Sequence, residues 1–310
     1  MKLNIVIPCY NEEAVLQETT KQLSQLIDAL IEKGKVEVCD IVYVDDGSKD
    51  TTWTLIEEQQ KKCKYVHGLK LAHNVGHQHA LWAGLEWSVD KCDAVVSIDA
   101  DLQHDISKIE DMVDAYKQGY QVVYGIRNDR KTDSAFKKRT ALGFYTLMQK
   151  MGVDIIPNHA DFRLLGSDAL KALMSYPERN IFLRGMVRLI GFPSTEVYFD
   201  VQDRFAGESK YTLSKMLNFA ADGITSFSVK PLRIITMIGM LCVLLSLAEM
   251  IYIIVAWIQG NVVAGWSSML FSLWFIGGLV LMSLGVIGEY IGKIYTEVKQ
   301  RPRYIIEKSV

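Results

Sequence analysis

Cysteine is scarce in this chain and follows no pattern. The five present (Cys9, Cys39, Cys63, Cys92, Cys242) are odd in number and scattered, with no CxxC pair. That spacing argues against a disulfide framework and a zinc site, and suits a reducing compartment. An excess of positive charge is also missing. The 34 Lys and Arg face 36 Asp and Glu, a net charge of −2, so nucleic acid is not expected as a partner. The opening MKLNIVIPCYNEE breaks its short apolar run at Pro8 and turns acidic, so no secretory leader is expected. Phosphate-cradling fingerprints are lacking too. There is no GxxxxGKS/T segment and no GxGxxG after the first apolar run. Any bound nucleotide must then be held by carboxylates, a metal and side-chain cations.

Charge itself disappears toward the C-terminus. Between Arg233 and Lys293 there is no Lys or Arg, and Glu249 and Glu289 are the only charged residues. Two apolar runs fill the interval, LRIITMIGMLCVLLSLAEMIYIIVAWI and WSSMLFSLWFIGGLVLMSLGVIGEYI. Each exceeds the roughly 20 residues that cross a bilayer as a helix. A pair of buried core helices is the alternative, although soluble helices rarely stay apolar all round at this length. Lys230 and Arg233 flank the first run, and Lys293, Lys299, Arg301, Arg303 and Lys308 follow the second. The positive-inside rule places both flanks, both termini and the large N-terminal part on the cytoplasmic side of the cell membrane. Trp257, Trp266 and Tyr290 fall where interfacial aromatics are expected, while Glu249 lies inside the first span, where an acid is costly. Upstream, Met216, Leu217, Phe219, Ile224 and Phe227 suit a helix lying on the membrane surface or one packed on the soluble domain. The expected division is a soluble domain over 1–211, a juxtamembrane amphipathic region over 212–231, a hairpin over 232–292 (spans about 233–258 and 266–291) and a cytoplasmic tail over 293–310.

Within the soluble part, strand-like runs recur at Leu3–Ile7, Ile41–Val44, Gly68–Leu71, Ala94–Ile98 and Val122–Tyr124. Helical patterns fall at Glu12–Ile31, Thr51–Lys62, His79–Ser88, Ile106–Gln118 and Ala141–Met151. Alternating strands and helices predict a Rossmann-like, mainly parallel α/β sheet covered on both faces. Ligands of such sheets sit at the carboxyl ends of the strands. Four of those ends are polar: PCYNEE, VDDGSKD, AHNVGHQH and DADLQHD.

The spacing of Asp99 and Asp101 puts both on one side of extended backbone. Oxygen ligands of this kind suit Mg²⁺ or Mn²⁺ bound together with substrate phosphates. A solvated turn explains a lone DxD equally well, and Asp105 suits a cap for the next helix. Asp45 could hydrogen-bond a base or ribose, or Asp45 and Asp46 could simply begin a strand–turn–helix connection, with Asp50 a helix cap.

Taken in order, IVIPCYNEE, VDDGSKDTT, DADLQHD, HADFRLL and RFAGESKYTLSK, followed by two apolar spans, resemble the family 2 glycosyltransferases. More narrowly they are similar to the polyprenyl-phosphate glycosyltransferases, including bactoprenol glucosyltransferases and dolichol-phosphate mannose synthases. The resemblance implies a GT-A fold, a nucleotide-sugar donor, Mg²⁺ or Mn²⁺, and inverting transfer onto a polyprenyl phosphate. It also implies a homo-oligomer, with a tetramer expected. Carried over by position, Pro8, Tyr10, Glu12 and Asp45 surround the nucleoside, and Asp99 borders the ribose and diphosphate. Asp101 and Gln103 hold the metal, with His104 a packed neighbour. Asp161 matches the catalytic carboxylate. Arg204, Ser209 and Lys210 clasp the donor phosphates, and Arg127 and Arg139 face the acceptor phosphate. A phosphate acceptor is already anionic near neutral pH, so Asp161 is expected to matter more for positioning, or for a residual proton, than for strong base work, and an ion pair with Arg163 is its structural alternative. UDP-glucose is the expected donor and undecaprenyl phosphate the expected acceptor, ahead of UDP-N-acetylglucosamine, UDP-galactose or a modified pentose. A processive polysaccharide synthase and a non-catalytic membrane scaffold are the competing readings. The first lacks its QxxRW motif here, and the second does not need these acids.

Overall fold

The computed structural model describes residues 1–128, 146, 148–152, 156, 158–202, 223–226, 228–259 and 265–310. The chain opens with β1 (Lys2–Cys9), α1 (Leu16–Glu32), β2 (Val38–Asp45), α2 (Thr52–Lys62) and β3 (Val66–Leu71). It continues with α3 (His77–Ser88), β4 (Ala94–Ser97), α4 (Lys108–Lys117) and β5 (Val122–Arg127). Then follow β6 (His159–Gly166), α5 (Ser167–Met174), α6 (Leu183–Leu189) and β7 (Ser194–Phe199). Two long helices, α7 (Lys230–Ile258) and α8 (Trp266–Lys299), precede a last strand, β8 (Ile306–Ser309).

The described strands form one sheet in the order β7-β5-β6-β4-β1-β2-β3-β8. β1, β2, β3 and β4 pair in parallel, whereas β6 runs antiparallel between β4 and β5, and β8 runs antiparallel along β3. Helices cover both faces. Leu23, Ile27 and Leu30 of α1 and Ile109 and Met112 of α4 meet Leu3, Ile5 and Ile7 of β1 on one side. Leu81 of α3, Leu170 of α5 and Met186 of α6 meet Val6, Val42 and Val95 on the other. The alternation of β1 between the two cores is the period-2 side-chain geometry of a strand. Each of these fully buried aliphatic side chains contributes roughly 1.5–3 kcal/mol.

Several expected boundaries move. The first helix begins at Leu16 rather than Glu12, because the backbone of Asn11, Glu12 and Glu13 is tied to the turn after β2. The fourth helix begins at Lys108, with Ser107 in the N-cap position and Asp105 accepting from the Ser107 N–H and hydroxyl. Asp105 therefore shapes the turn ahead of α4 instead of capping it. The expected Ala141–Met151 helix lies mostly outside the described residues, although 148–150 are helical.

At 34 residues, α8 is about 50 Å long, well beyond a hydrocarbon core of about 30 Å. Among the described residues, Phe275–Lys299 is long and apolar enough to cross a membrane, with mean hydropathy 1.7. α8 extends past residue 292, and the final residues rejoin the sheet as β8 instead of trailing as a tail. The Tyr290 hydroxyl donates to the Ser228 carbonyl, fixing α8 against the entry to α7.

Candidate active site

Four strand ends gather where the strand order reverses. β1 has β2 on one side and β4 on the other, and ligands of open α/β sheets bind at such a switch point. The β1–β4 pairing stops at Val6 opposite Ser97, while β1 and β2 stay paired to Cys9 opposite Asp45. The ends of β1 and β4 thereby separate. Pro8, which has no N–H for a ladder bond, sits buried in β1 just past the last β4 partner.

On the β2 side the turns are laced together. Asn11 adopts a positive φ of 53°, donates its backbone N–H to Ser48 Oγ (2.9 Å), and accepts the Lys49 N–H on Oδ1 (2.8 Å). Glu12 donates its N–H to Thr52 Oγ1 (2.9 Å), and half-buried Tyr10 lies two residues before it. Gly47 is required here: φ is +66°, and a Cβ would come within 2.7 Å of the Asn74 backbone nitrogen. Asp45 is fully buried and accepts the Ser48 N–H on Oδ1 (3.2 Å), yet its buried Oδ2 has no partner among the described residues. Burial raises its carboxyl above the ordinary value. A buried acceptor left unsatisfied is costly, so Oδ2 is fitted to a ligand donor. Asp46, by contrast, is occupied, receiving the Val75 and Gly76 N–H groups at 2.7 and 3.0 Å and fixing the entry to α3.

At the end of β4, Asp99 accepts from His77 Nε2 at 3.0 Å. Burial alone would raise this carboxyl, but the His77 hydrogen bond and the nearby His104 charge hold it down to about 2. The same pair raises His77 against its own desolvation. His104 is buried behind Asp99. Its Nδ1 accepts the Asp99 N–H (3.3 Å), and its ring stacks on Phe162 with centroids 5.2 Å apart. Desolvation lowers it, and its ring is a packed neighbour of the site. Asp101 Oδ1 accepts the Gln103 N–H (3.2 Å) across Leu102, whose φ is 57°. That turn places Asp101 and Gln103, both half-buried, at the mouth beside Asp99.

Asp161 stands on β6, whose residues 163–166 pair with β4, and its carbonyl accepts from Ser97 Oγ (2.8 Å). Its carboxylate is clamped. Arg163 Nη2 donates to Oδ1 at 2.6 Å, and Arg184 donates from Nε to Oδ1 (3.3 Å) and from Nη2 to Oδ2 (3.0 Å). Burial would raise Asp161, but Arg184 and Arg163 overcome it and hold the carboxyl well below its ordinary value. Such a group is a weak base and a strong organiser of cations. Arg127 ends β5, and its buried Nε has no partner among the described residues.

Arg139, Arg204, Ser209 and Lys210 lie outside the described residues, as does most of the juxtamembrane region. Within that region, 223–226 are helical. The site also holds His77 and Arg184, to which the sequence reading gave no role, and Asp46, read there as part of a strand–turn–helix connection. His77 belonged to the AHNVGHQH cluster, a usable signal. Arg184 had none, since it meets Asp161 through the fold from 23 positions away.

Comparison with known proteins adds a consistent pattern. Residues 4–174 match the glycosyl transferase family 2, and residues 230–294 match the GtrB C-terminal hairpin. YkoT of Bacillus subtilis (strain 168), an uncharacterized glycosyltransferase, is 54% identical over 306 residues, covering 98% of this chain and 91% of that protein. The SfII prophage-derived bactoprenol glucosyl transferase of Shigella flexneri is 38% identical over 314 residues, covering 100% of this chain and 98% of that protein. The glucosyl-3-phosphoglycerate synthase of Mycobacterium tuberculosis, solved with phosphoglyceric acid, shares the fold. Its TM-score is 0.50 at 17% identity, over 73% of this chain and 80% of that one.

Proposed function

The chain belongs to glycosyl transferase family 2, and on that premise we propose that it transfers glucose from UDP-glucose to a polyprenyl phosphate at a membrane surface, with inversion. The full-length likeness to a bactoprenol glucosyl transferase supports the sugar and the lipid. The GtrB-type hairpin and the apolar Phe275–Lys299 segment support a membrane-held acceptor.

One observation carries the chemistry. The carboxylate beside the crevice is held between two arginines, Arg163 and Arg184. A sugar hydroxyl acceptor would need a base, whereas both Asp161 oxygens are engaged by Arg163 and Arg184. A phosphate monoester needs none, because its second pKa is about 6. Its oxygen attacks the anomeric carbon, a new C–O bond forms, and the bond to the nucleoside diphosphate breaks with the electron pair leaving on the diphosphate. Asp161 acts by aiming Arg184 at the incoming phosphate, and the unsatisfied Nε of Arg127 supplies a further donor.

On the donor side, Asp45 Oδ2 receives an N–H or O–H of the nucleoside, with Tyr10, Glu12 and the Pro8 backbone forming its surroundings. Asp101 and Gln103 offer oxygens that fit Mg²⁺ or Mn²⁺ completed by substrate phosphates, and Asp99 beside them is assigned to the ribose and diphosphate. When bound, that ion neutralises charge on the departing diphosphate. Arg204, Ser209 and Lys210 are assigned to the donor phosphates and Arg139 to the acceptor phosphate, on the family pattern. The same pattern supports a cytoplasmic catalytic domain and a homo-oligomer, a tetramer.

The test uses the purified full chain, undecaprenyl phosphate, Mn²⁺ or Mg²⁺, and a panel of UDP- and GDP-sugars. Lipid-linked glucose is expected with UDP-glucose and is lost on chelation. A product with a different sugar alone corrects the donor, and no product with any donor overturns the proposal.

A further inference from the structure

The junction of α8 with the residues before the last strand forms a half-open cavity of about 250 Å³ whose wall is cationic. His79, Arg179, Lys299, Arg301 and Arg303 line it together with Tyr295, and among the described residues no carboxylate does. Some of these cations already have partners. Arg303 stacks on Trp82 with its Cζ 4.4 Å from the ring centroid, and donates to the Tyr176 and Glu178 carbonyls. Lys299 lies 4.2 Å over Tyr295. Arg179 is different. The Arg179 and Asn180 N–H groups are held by Glu297 at 2.7–2.9 Å, but the buried Nε of Arg179 has no hydrogen-bond partner among the described residues. Burial, and after it the charge of Arg179, lower Arg303 from its ordinary value, while Glu86 and Glu297 nearby offset part of this. Crowded guanidiniums with an unmet buried donor call for an anion between them.

This cavity is separate from the sugar-transfer centre. His77 of α3 binds Asp99, whereas His79 meets the Arg179 carbonyl at 3.3 Å. Residues two apart on a helix point about 200° away from each other, so α3 stands between the two places.

The lipid side can be read from α8. Ile291, Ile294, Tyr295 and Val298 are exposed by 59%, 60%, 60% and 74%. Their i, i+3, i+4, i+7 spacing makes one apolar stripe that ends a residue before Lys299. Chains lying along that stripe would deliver a headgroup to the cationic cavity. We propose that this cavity binds the phosphate of an anionic membrane lipid at a second site, distinct from the reacting centre. An occupied site ties the end of α8 to the 179–180 segment, which leads into α6 and Arg184.

The experiment is native mass spectrometry of the full chain in detergent, titrated with phosphatidylglycerol, phosphatidylcholine or inorganic phosphate. Arg179→Gln and the exposed Arg301→Gln are compared with wild type, the second guarding against a folding defect. Phosphatidylglycerol is expected to bind wild type in preference to phosphatidylcholine, and to bind each variant about tenfold more weakly. Binding of inorganic phosphate alone, lost in both variants while phosphatidylglycerol gives no adduct, would keep the phosphate site and overturn its lipid source. Equal phosphatidylglycerol binding by wild type and both variants overturns the proposal. Sugar transfer does not enter this readout, so its failure leaves the transferase reading untouched.

Discussion

Replacing Asp161 by Asn keeps the shape of the side chain and deletes its charge. Its partners are poorly placed to recover that charge from water, with the Arg163 side chain 2% exposed and that of Arg184 24% exposed. Breaking a buried ion pair by removing one partner costs about 3–5 kcal/mol. Asp161 and Arg184 are partly solvated, so a loss near the lower end, about 3 kcal/mol, is expected. In a domain of this size that lowers Tm by about 6–12 °C. Turnover falls about a hundredfold or more, because Arg184 loses the anchor that aims it, while donor binding is retained. The pH dependence has a defined sign. Asp161 is held below its ordinary value in the folded state, so its contribution is full above an unfolded pKa of about 3.9 and is lost as pH falls through the folded value. Below about pH 4, the wild-type Tm should therefore fall more steeply than that of Asp161→Asn. Thermal unfolding across pH and steady-state kinetics with donor and acceptor varied separately check these points. A variant with wild-type Tm and wild-type turnover would refute the organising role.

Three further substitutions probe other parts of the account. Asp101→Asn should abolish turnover mainly by weakening Mn²⁺ binding, measured by titration of the metal, and unchanged affinity with unchanged activity would remove Asp101 from the ligand set. Asp45→Ala should raise the donor KM by about tenfold with a much smaller change in kcat, whereas an equal fall in kcat at constant KM would place Asp45 elsewhere. Arg303→Ala removes the stacking on Trp82 and the bonds to the Tyr176 and Glu178 carbonyls. It should cost about 2–3 kcal/mol and speed limited proteolysis of the last residues, and a tail as resistant as wild type would show that β8 alone holds it.

Local pattern reached far into this fold. β1 to β4 were legible because apolar runs ended in polar clusters at the crevice, and two of those ends named Asp45, Asp99 and Asp101. What stayed hidden depends on pairing at long range. The HADFRLL segment was recognised by its acid, yet nothing local shows that it enters the sheet antiparallel between β4 and β5. The C-terminal residues look like a basic tail, but Lys70 and Glu307 pair across β3 and β8, and Lys308 reaches Glu57. The place of Arg184 follows from the packing of α6 against the sheet, which no spacing in the sequence encodes. The clamp it forms holds the Asp161 carboxyl below its ordinary value, and the proposed preference for an anionic acceptor rests on it.

That last point admits a direct measurement. With UDP-glucose and metal held constant, the purified full chain is offered undecaprenyl phosphate or the matching neutral alcohol, undecaprenol. Glucose should pass to the phosphate and not to the alcohol, because the Asp161 carboxylate is engaged by Arg163 and Arg184. Comparable transfer to both acceptors would contradict the account.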